Sequence, residues 1–121
     1  MKILLVDDSI VYRKGVHKML GKLLKDAVFV EAENGKVALN LIKEHNPDFI
    51  ILDLLMPVMT GQEMLKILKK ENSNVKVIVM SSDVQTPVKE EVKQLGAFNF
   101  INKPLTPDKA AILANLLKGE S

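Results

Sequence analysis

The side chains best suited to chemistry in this chain are carboxylates that directly follow apolar runs. Asp7 and Asp8 come after Ile3 to Val6, and Asp53 comes after Phe49 to Leu52. Ser81 closes the run Val75 to Met80, which Lys76 interrupts, and Lys103-Pro104 comes just after Phe98 to Ile101. A carboxylate beside apolar residues is costly unless it is paired or metal-bound. Three of them converging repel one another and need a cation. The chain has no Cys, and neither of its two His, His17 and His45, is suitably placed, so the available donor set is oxygen only. Oxygen donors select a hard ion, and few protein ligands plus water and a phosphate oxygen describe Mg²⁺ better than a dedicated Ca²⁺ cage. Mg²⁺, the Lys103 ammonium and the Ser81 hydroxyl around one carboxylate form a receptor for a phosphoryl group. Asp53 can itself be the nucleophile, giving an aspartyl phosphate.

Each residue alone has a plainer reading. Asp8 would cap a helix, Ser81 would sit in a turn, and Lys103 would be one solvated charge among many. Asp53 resists such a reading because Leu54-Leu55-Met56-Pro57 follows it. The five gain meaning together only if the fold brings them to one edge.

The elements predicted from the pattern do that. Strands are expected at Ile3 to Val6, Val28 to Val30, Phe49 to Leu52, Val75 to Met80 and Phe98 to Ile101, with helices between them. Near-continuous apolar strands alternating with helices indicate a parallel sheet covered on both faces. Thr60 and Glu63 form a capping box, and Thr86-Pro87 and Thr106-Pro107 each place a capping hydroxyl before Pro at the first helical position. Gly96 is expected just past a helix end, Asn46-Pro47 ends another, and Glu33-Asn34-Gly35 is a turn. The result is an α/β fold, (βα)5. Ligands of such sheets bind beyond the carboxyl ends of the strands. On that rim stand Asp7 and Asp8, Asp53, Ser81 and Lys103, whereas Glu31-Ala32-Glu33 after the second strand lacks a comparable partner.

The first helix, about Ser9 to Leu24, carries an apolar stripe of Tyr12, Val16, Met19, Leu20 and Leu23 that should face the sheet. Lys14, Lys18, Lys22 and Lys25 form a stripe on the opposite side. Ile10 and Val11 fall outside the apolar stripe and suit a docking surface beside it. With 121 residues and 47% hydrophobic content, the chain can bury a core without disulfides. Of 17 basic residues only Arg13 is an Arg, and the net charge is +2, so nucleic acid is a poor candidate partner. No segment reaches membrane-spanning length, and a soluble, cytoplasmic domain is the expectation.

In these residues the chain closely resembles the receiver domain of two-component response regulators, above all the stand-alone chemotaxis type. The resemblance runs from Ile3 to about Leu117. It rests on Asp7-Asp8, on Asp53 in Asp-Leu-Leu-Met-Pro, and on Gly61, Ser81, Gly96-Ala97 and Lys103-Pro104, in that order on five alternating strands. It implies a flavodoxin-like, doubly wound five-stranded parallel sheet of order 2-1-3-4-5. It implies Asp53 as phosphoacceptor, with Asp8 and Asp53 ligating Mg²⁺ directly, Asp7 acting largely through water and the Leu55 carbonyl completing the set. Lys103 would pair with Asp53 or its phosphate, the Lys103-Pro104 bond would be cis, and Ser81 and Phe100 would be the switch pair. The implied donor is a sensor histidine kinase or histidine phosphotransfer domain. The implied output is protein contact through the fourth helix, fifth strand and fifth helix. A phosphatase is a further implied partner, and residues 1–121 would be one monomeric receiver domain without an effector. It would phosphorylate and dephosphorylate itself slowly rather than work as a turnover enzyme.

Four positions limit what carries over from the family pattern. Phe100 lacks a Tyr hydroxyl, Leu105 stands where many relatives have Phe, and Leu55 cannot orient a hydrolytic water while Asp83 is acidic. Two other readings compete: a receiver-like module that binds partners without phosphorylation, and a phosphohydrolase working through an aspartyl phosphate. The latter wants Asp-x-Asp after the first strand, which Asp7-Asp8-Ser9 does not supply. A nucleotide site is disfavoured because no Gly-rich loop follows that strand.

Overall fold

In the computed structural model, which describes residues 1–82 and 85–119, five strands and five helices alternate along the chain. They are β1 (Lys2–Val6), α1 (Ile10–Leu23), β2 (Val28–Ala32), α2 (Gly35–His45), β3 (Phe49–Leu52), α3 (Gly61–Lys70), β4 (Lys76–Ser81), α4 (Thr86–Gln94), β5 (Asn99–Asn102) and α5 (Pro107–Leu117). All strand pairs are parallel, in the order β2-β1-β3-β4-β5. The chain starts in the middle of the sheet, winds outward to β2, crosses back beside β1 and then winds the other way. The switch point therefore lies between β1 and β3, as the resemblance implied.

Alternation along each central strand sends side chains to two cores. Leu4, Val6, Ile50, Leu52, Val77 and Val79 pack with Ala38 of α2, Met64 and Leu65 of α3 and Val92 of α4. Ile3, Leu5, Ile51, Ile78 and Met80 pack with Val16 and Leu20 of α1 and Leu113 and Leu117 of α5. With period-two strands buried on both faces, the buried stretches Ile3 to Val6, Ile50 to Leu52 and Val77 to Met80 need apolar residues at every position, while Lys2 and Lys76 stand at the strand starts.

The sheet's flanks differ from the pattern-based expectation. β2 and β5 are edge strands, and Val28 and Asn99 are exposed. Leu23 is 41% exposed rather than turned to the sheet, whereas Leu24, at the helix C-cap, is buried. The helix ends between them, so the 100° periodicity no longer applies to Leu24. Thr86 is the first residue of α4 rather than its cap, which is Gln85. The cap of α1 is Ser9, whose hydroxyl accepts from Tyr12 N–H, so Asp8 does not serve as one. The Thr60–Glu63 capping box and the Thr106 cap form as expected. Gly96 follows α4 at φ +98°, a left-handed position that suits Gly. Among the described residues, no helix is long and apolar enough to cross a membrane.

Candidate functional site

The carboxyl ends of β1 and β3 lie side by side, and the backbone carries that register one residue further. Asp53 N–H donates to the Val6 carbonyl at 2.9 Å, and Asp7 N–H donates to the Ala32 carbonyl at 3.1 Å. Asp7 and Asp53 thus follow neighbouring strands across the switch point, and Asp8 follows next in the turn. One carboxylate oxygen from each of the three lies within 4.8 Å of the others. Asp7 and Asp53 are buried, 6% and 7% exposed, while Asp8 opens to solvent.

The polar contacts are unevenly shared. Asp7 Oδ1 accepts from Ser9 N–H at 2.9 Å, and its Oδ2 accepts from Lys103 Nζ at 2.8 Å. The same ammonium is 3.6 Å from Asp53 Oδ1, which also accepts a long hydrogen bond, 3.4 Å, from Leu55 N–H. Lys103 thus sits closer to Asp7 than to Asp53, which the resemblance had offered, itself or as its phosphate, as the partner. Burial and the facing Asp7 charge push the Asp53 carboxyl above the usual range, against the opposing pull of Lys103 and the Leu55 N–H. Burial alone would pull the Lys103 ammonium down, but the bond to Asp7 and the Asp53 charge outweigh it and leave it raised. The rim therefore holds more negative charge than its one ammonium among the described residues can balance.

That imbalance is the observation against which a metal must be tested, and the residues fit. The donors are carboxylate oxygens on one face, with the Leu55 backbone adjoining Asp53, and they suit Mg²⁺ rather than a softer ion. Gly61 closes the floor. Its N–H donates to the Leu54 carbonyl at 3.0 Å, and a Cβ there would stand 2.8 Å from the Asp53 carbonyl and Leu54 Cα. Only Gly lets α3 start this close to the Asp53 backbone. Val58, in the loop that leads there, has φ +73°, a left-handed value rarely found for a β-branched residue.

Ser81 ends β4 and is fully buried, and its carbonyl accepts from Lys103 N–H at 2.8 Å. The Lys103-Pro104 bond is cis, and Leu105 behind it is buried. Phe100 lies on β5 beside Val79 and packs on the α2–α4 core, with Lys89 Nζ 5.5 Å from its ring centre. Asp83, singled out for its acidity, lies outside the described residues. Ile10 and Val11 are exposed, 59% and 80%.

Two features escaped the sequence. Glu31 was expected to lack a partner, yet it accepts from Arg13 Nε at 3.0 Å and Lys14 Nζ at 2.7 Å, with His17 Nδ1 at 3.6 Å. Arg13 also donates to the Asp7 carbonyl, so α1 ties β2 to the rim. Lys14 is therefore not simply part of a solvated stripe. Tyr12, assigned to the apolar stripe, uses its hydroxyl to accept from Leu105 N–H at 3.0 Å, and its ring lies 4.1 Å from Lys103 Nζ. The Arg13-Lys14 pair one turn into a helix beside Glu31 was the only available hint of the first. For Tyr12 there was none beyond a hydroxyl on an otherwise apolar stripe.

Comparison with known proteins agrees with this geometry. Residues 3–115 match the family model for the response regulator receiver domain. The chain is 40% identical to a protein-glutamate methylesterase/protein-glutamine glutaminase of Desulfotalea psychrophila, over 98% of this chain but 34% of that protein. It therefore spans about a third of that longer relative. It is 36% identical to chemotaxis protein CheY of Bacillus subtilis, over 89% of each. The solved structure of Vibrio cholerae chemotaxis protein CheY4 superposes with a TM-score of 0.84 at 30% identity, covering 97% of this chain and 96% of that one. The rim, the strand order and these likenesses agree: the chain belongs to the response regulator receiver domain family.

Proposed function

We propose that Asp53 accepts a phosphoryl group from a phosphohistidine donor, and that the chain signals the resulting state through protein contact. The observation that carries this reading is the rim itself: among the described residues, three carboxylates with one oxygen each within 4.8 Å of the others, two of them buried, against one ammonium. Asp7, Asp8, Asp53 and the Leu55 carbonyl would hold Mg²⁺, which when bound offsets their charge and stabilises charge on phosphoryl oxygens. The Asp53 carboxylate oxygen forms the new bond to phosphorus as the P–N bond to the donor imidazole breaks, and the imidazole nitrogen takes up a proton. Lys103, within reach of both Asp7 and Asp53, supplies a second positive charge to the transferring group. The Ser81 hydroxyl then donates to the phosphoryl group, and Phe100 turns toward the space it leaves. That shift changes the surface of α4, β5 and α5. The methylesterase activity for which the longer relative is named is not part of this reading, in which the chain is a phosphoacceptor. A place in chemotaxis is supported by the likeness to chemotaxis protein CheY over 89% of both chains.

Exposed Ile10 and Val11 at the start of α1, with exposed Lys18 and Lys22 further along the same helix, suit the donor's docking face. Reversing Lys14 would also break its bond to Glu31, whereas Lys18 and Lys22 are exposed. Converting Lys18 and Lys22 to Glu is expected to slow transfer from the cognate phosphohistidine protein about tenfold at low salt. Uptake from acetyl phosphate, which needs no docking, is expected to stay unchanged. Equal rates from the protein donor in both forms would remove α1 from the docking face.

A further inference from the structure

We propose that Tyr12 is a positioning residue that holds the Lys103 ammonium at the rim through the face of its ring; this rests on the reading of Asp53 as phosphoacceptor. Lys103 follows β5 on a flexible four-carbon stem, and a lysine ammonium has no geometry of its own to keep it in place. Among the described residues three groups surround it: Asp7 Oδ2 at 2.8 Å, Asp53 Oδ1 at 3.6 Å and the Tyr12 ring centre at 4.1 Å. The ring is well within the roughly 6 Å over which an aromatic face attracts a cation.

The three contacts are not equivalent. Asp7 and Asp53 are also the groups a divalent cation would draw on, and any positive ion among them weakens their hold on the ammonium. The ring is neutral, and it does not compete with a phosphoryl group for the Lys103 N–H donors. It is thus the one attractor that keeps its hold when the carboxylates turn to other partners.

Tyr12 is itself fixed from three sides. Its backbone N–H donates to the Ser9 hydroxyl at the α1 cap. Its own hydroxyl accepts from Leu105 N–H at 3.0 Å and donates to Met80 Sδ at 3.4 Å. The ring therefore spans the start of α1, the end of β4 and the segment directly behind Lys103-Pro104, where buried Leu105 anchors the chain. The ring confines the ammonium, and the hydroxyl sets the backbone from which it reaches. An aliphatic residue here could fill the apolar stripe but could do neither.

Two readouts on the full chain test this. In the metal-free protein the Lys103 ε-protons are expected upfield of the other lysines, shifted by the ring current of Tyr12. Tyr12→Phe should keep that shift and Tyr12→Leu should lose it. With Mg²⁺ and acetyl phosphate, Asp53 oxygen bonds to phosphorus as the acetyl-oxygen-to-phosphorus bond breaks and acetate leaves. The maximal rate of this uptake is expected to fall about tenfold in Tyr12→Leu, the size of a partly desolvated cation–π contact. The acetyl phosphate concentration at half-maximal rate should move little, and Tyr12→Phe should recover most of the loss. In a Lys103→Met background, Tyr12→Leu should add nothing, which a general weakening of the fold would not reproduce. An unshifted Lys103 signal in the wild type overturns the proposal, and so does an equal fall in the Lys103→Met background. Wild-type protein that takes up no phosphate, with its ring shift intact, removes the phosphoacceptor reading instead and the role of Tyr12 with it.

Discussion

Glu31 and Asp53 are both carboxylates near the carboxyl ends of strands in one sheet, and their surroundings drive them in opposite directions. Burial would raise Glu31, but bonds from Lys14 and Arg13 outweigh it and hold its carboxyl below the usual range. Asp53 is raised by burial and by Asp7, and its share of Lys103 does not compensate. The first is a completed structural contact between β2 and α1. The second is an incomplete one, stable only because the surrounding strands hold it there, and it stabilises whatever cation or phosphoryl group completes it. An acidic residue after a strand is thus informative through its partners and not through its position.

The largest expected difference between the two is in their response to metal. At a hundredfold excess over its dissociation constant, Mg²⁺ should stabilise the protein by about 2.7 kcal/mol. A thermal melt of Glu31→Gln should show the same increment, whereas Asp53→Asn should lose most of it. Equal increments in all three proteins would place the ion elsewhere.

The metal-free variants should then diverge in sign. Glu31→Gln leaves the largely buried Arg13 guanidinium, 11% exposed, without its charged partner. Denaturant melts should show it destabilised by about 1–3 kcal/mol. Asp53→Asn relieves repulsion from Asp7 and should be stabilised by about 1 kcal/mol. A loss of stability in Asp53→Asn would mean that Lys103 already satisfies the rim.

The smallest effect is in pH dependence. Because the Glu31 carboxyl is lowered, its contribution is complete above the unfolded value near 4.5 and is lost as pH falls through the folded value. The raised Asp53 works the other way: its contribution is complete below its unfolded value near 3.8 and is lost as pH rises through the folded one. Removing Glu31 should therefore flatten the acid limb of the metal-free stability curve, and removing Asp53 should steepen it.

Most of the rim was legible because Asp7, Asp8, Asp53, Ser81 and Lys103 each follow an apolar run, and parallel strands must end on one side. The exposure of β2 and β5 was not legible in the hydrophobic pattern, because short apolar runs look alike wherever they pair; only the order 2-1-3-4-5 that the resemblance implied puts them at the edges. Glu31 was missed because its partners come from α1 across a crossover. Tyr12 was missed because helical spacing reads a Tyr as apolar filler, while the N–H it satisfies belongs to Leu105, 93 residues away. Pattern records most of the buried side chains of the central strands; it does not record the polar partners that burial brings together.

The central claim is that the incomplete carboxylate, and not the completed one, takes the phosphoryl group. Intact-mass measurement after incubation with Mg²⁺ and acetyl phosphate tests it directly. One phosphoryl group is expected on the wild type and on Glu31→Gln, with none on Asp53→Asn. An adduct that persists on Asp53→Asn, or fails to form on the wild type, would contradict it.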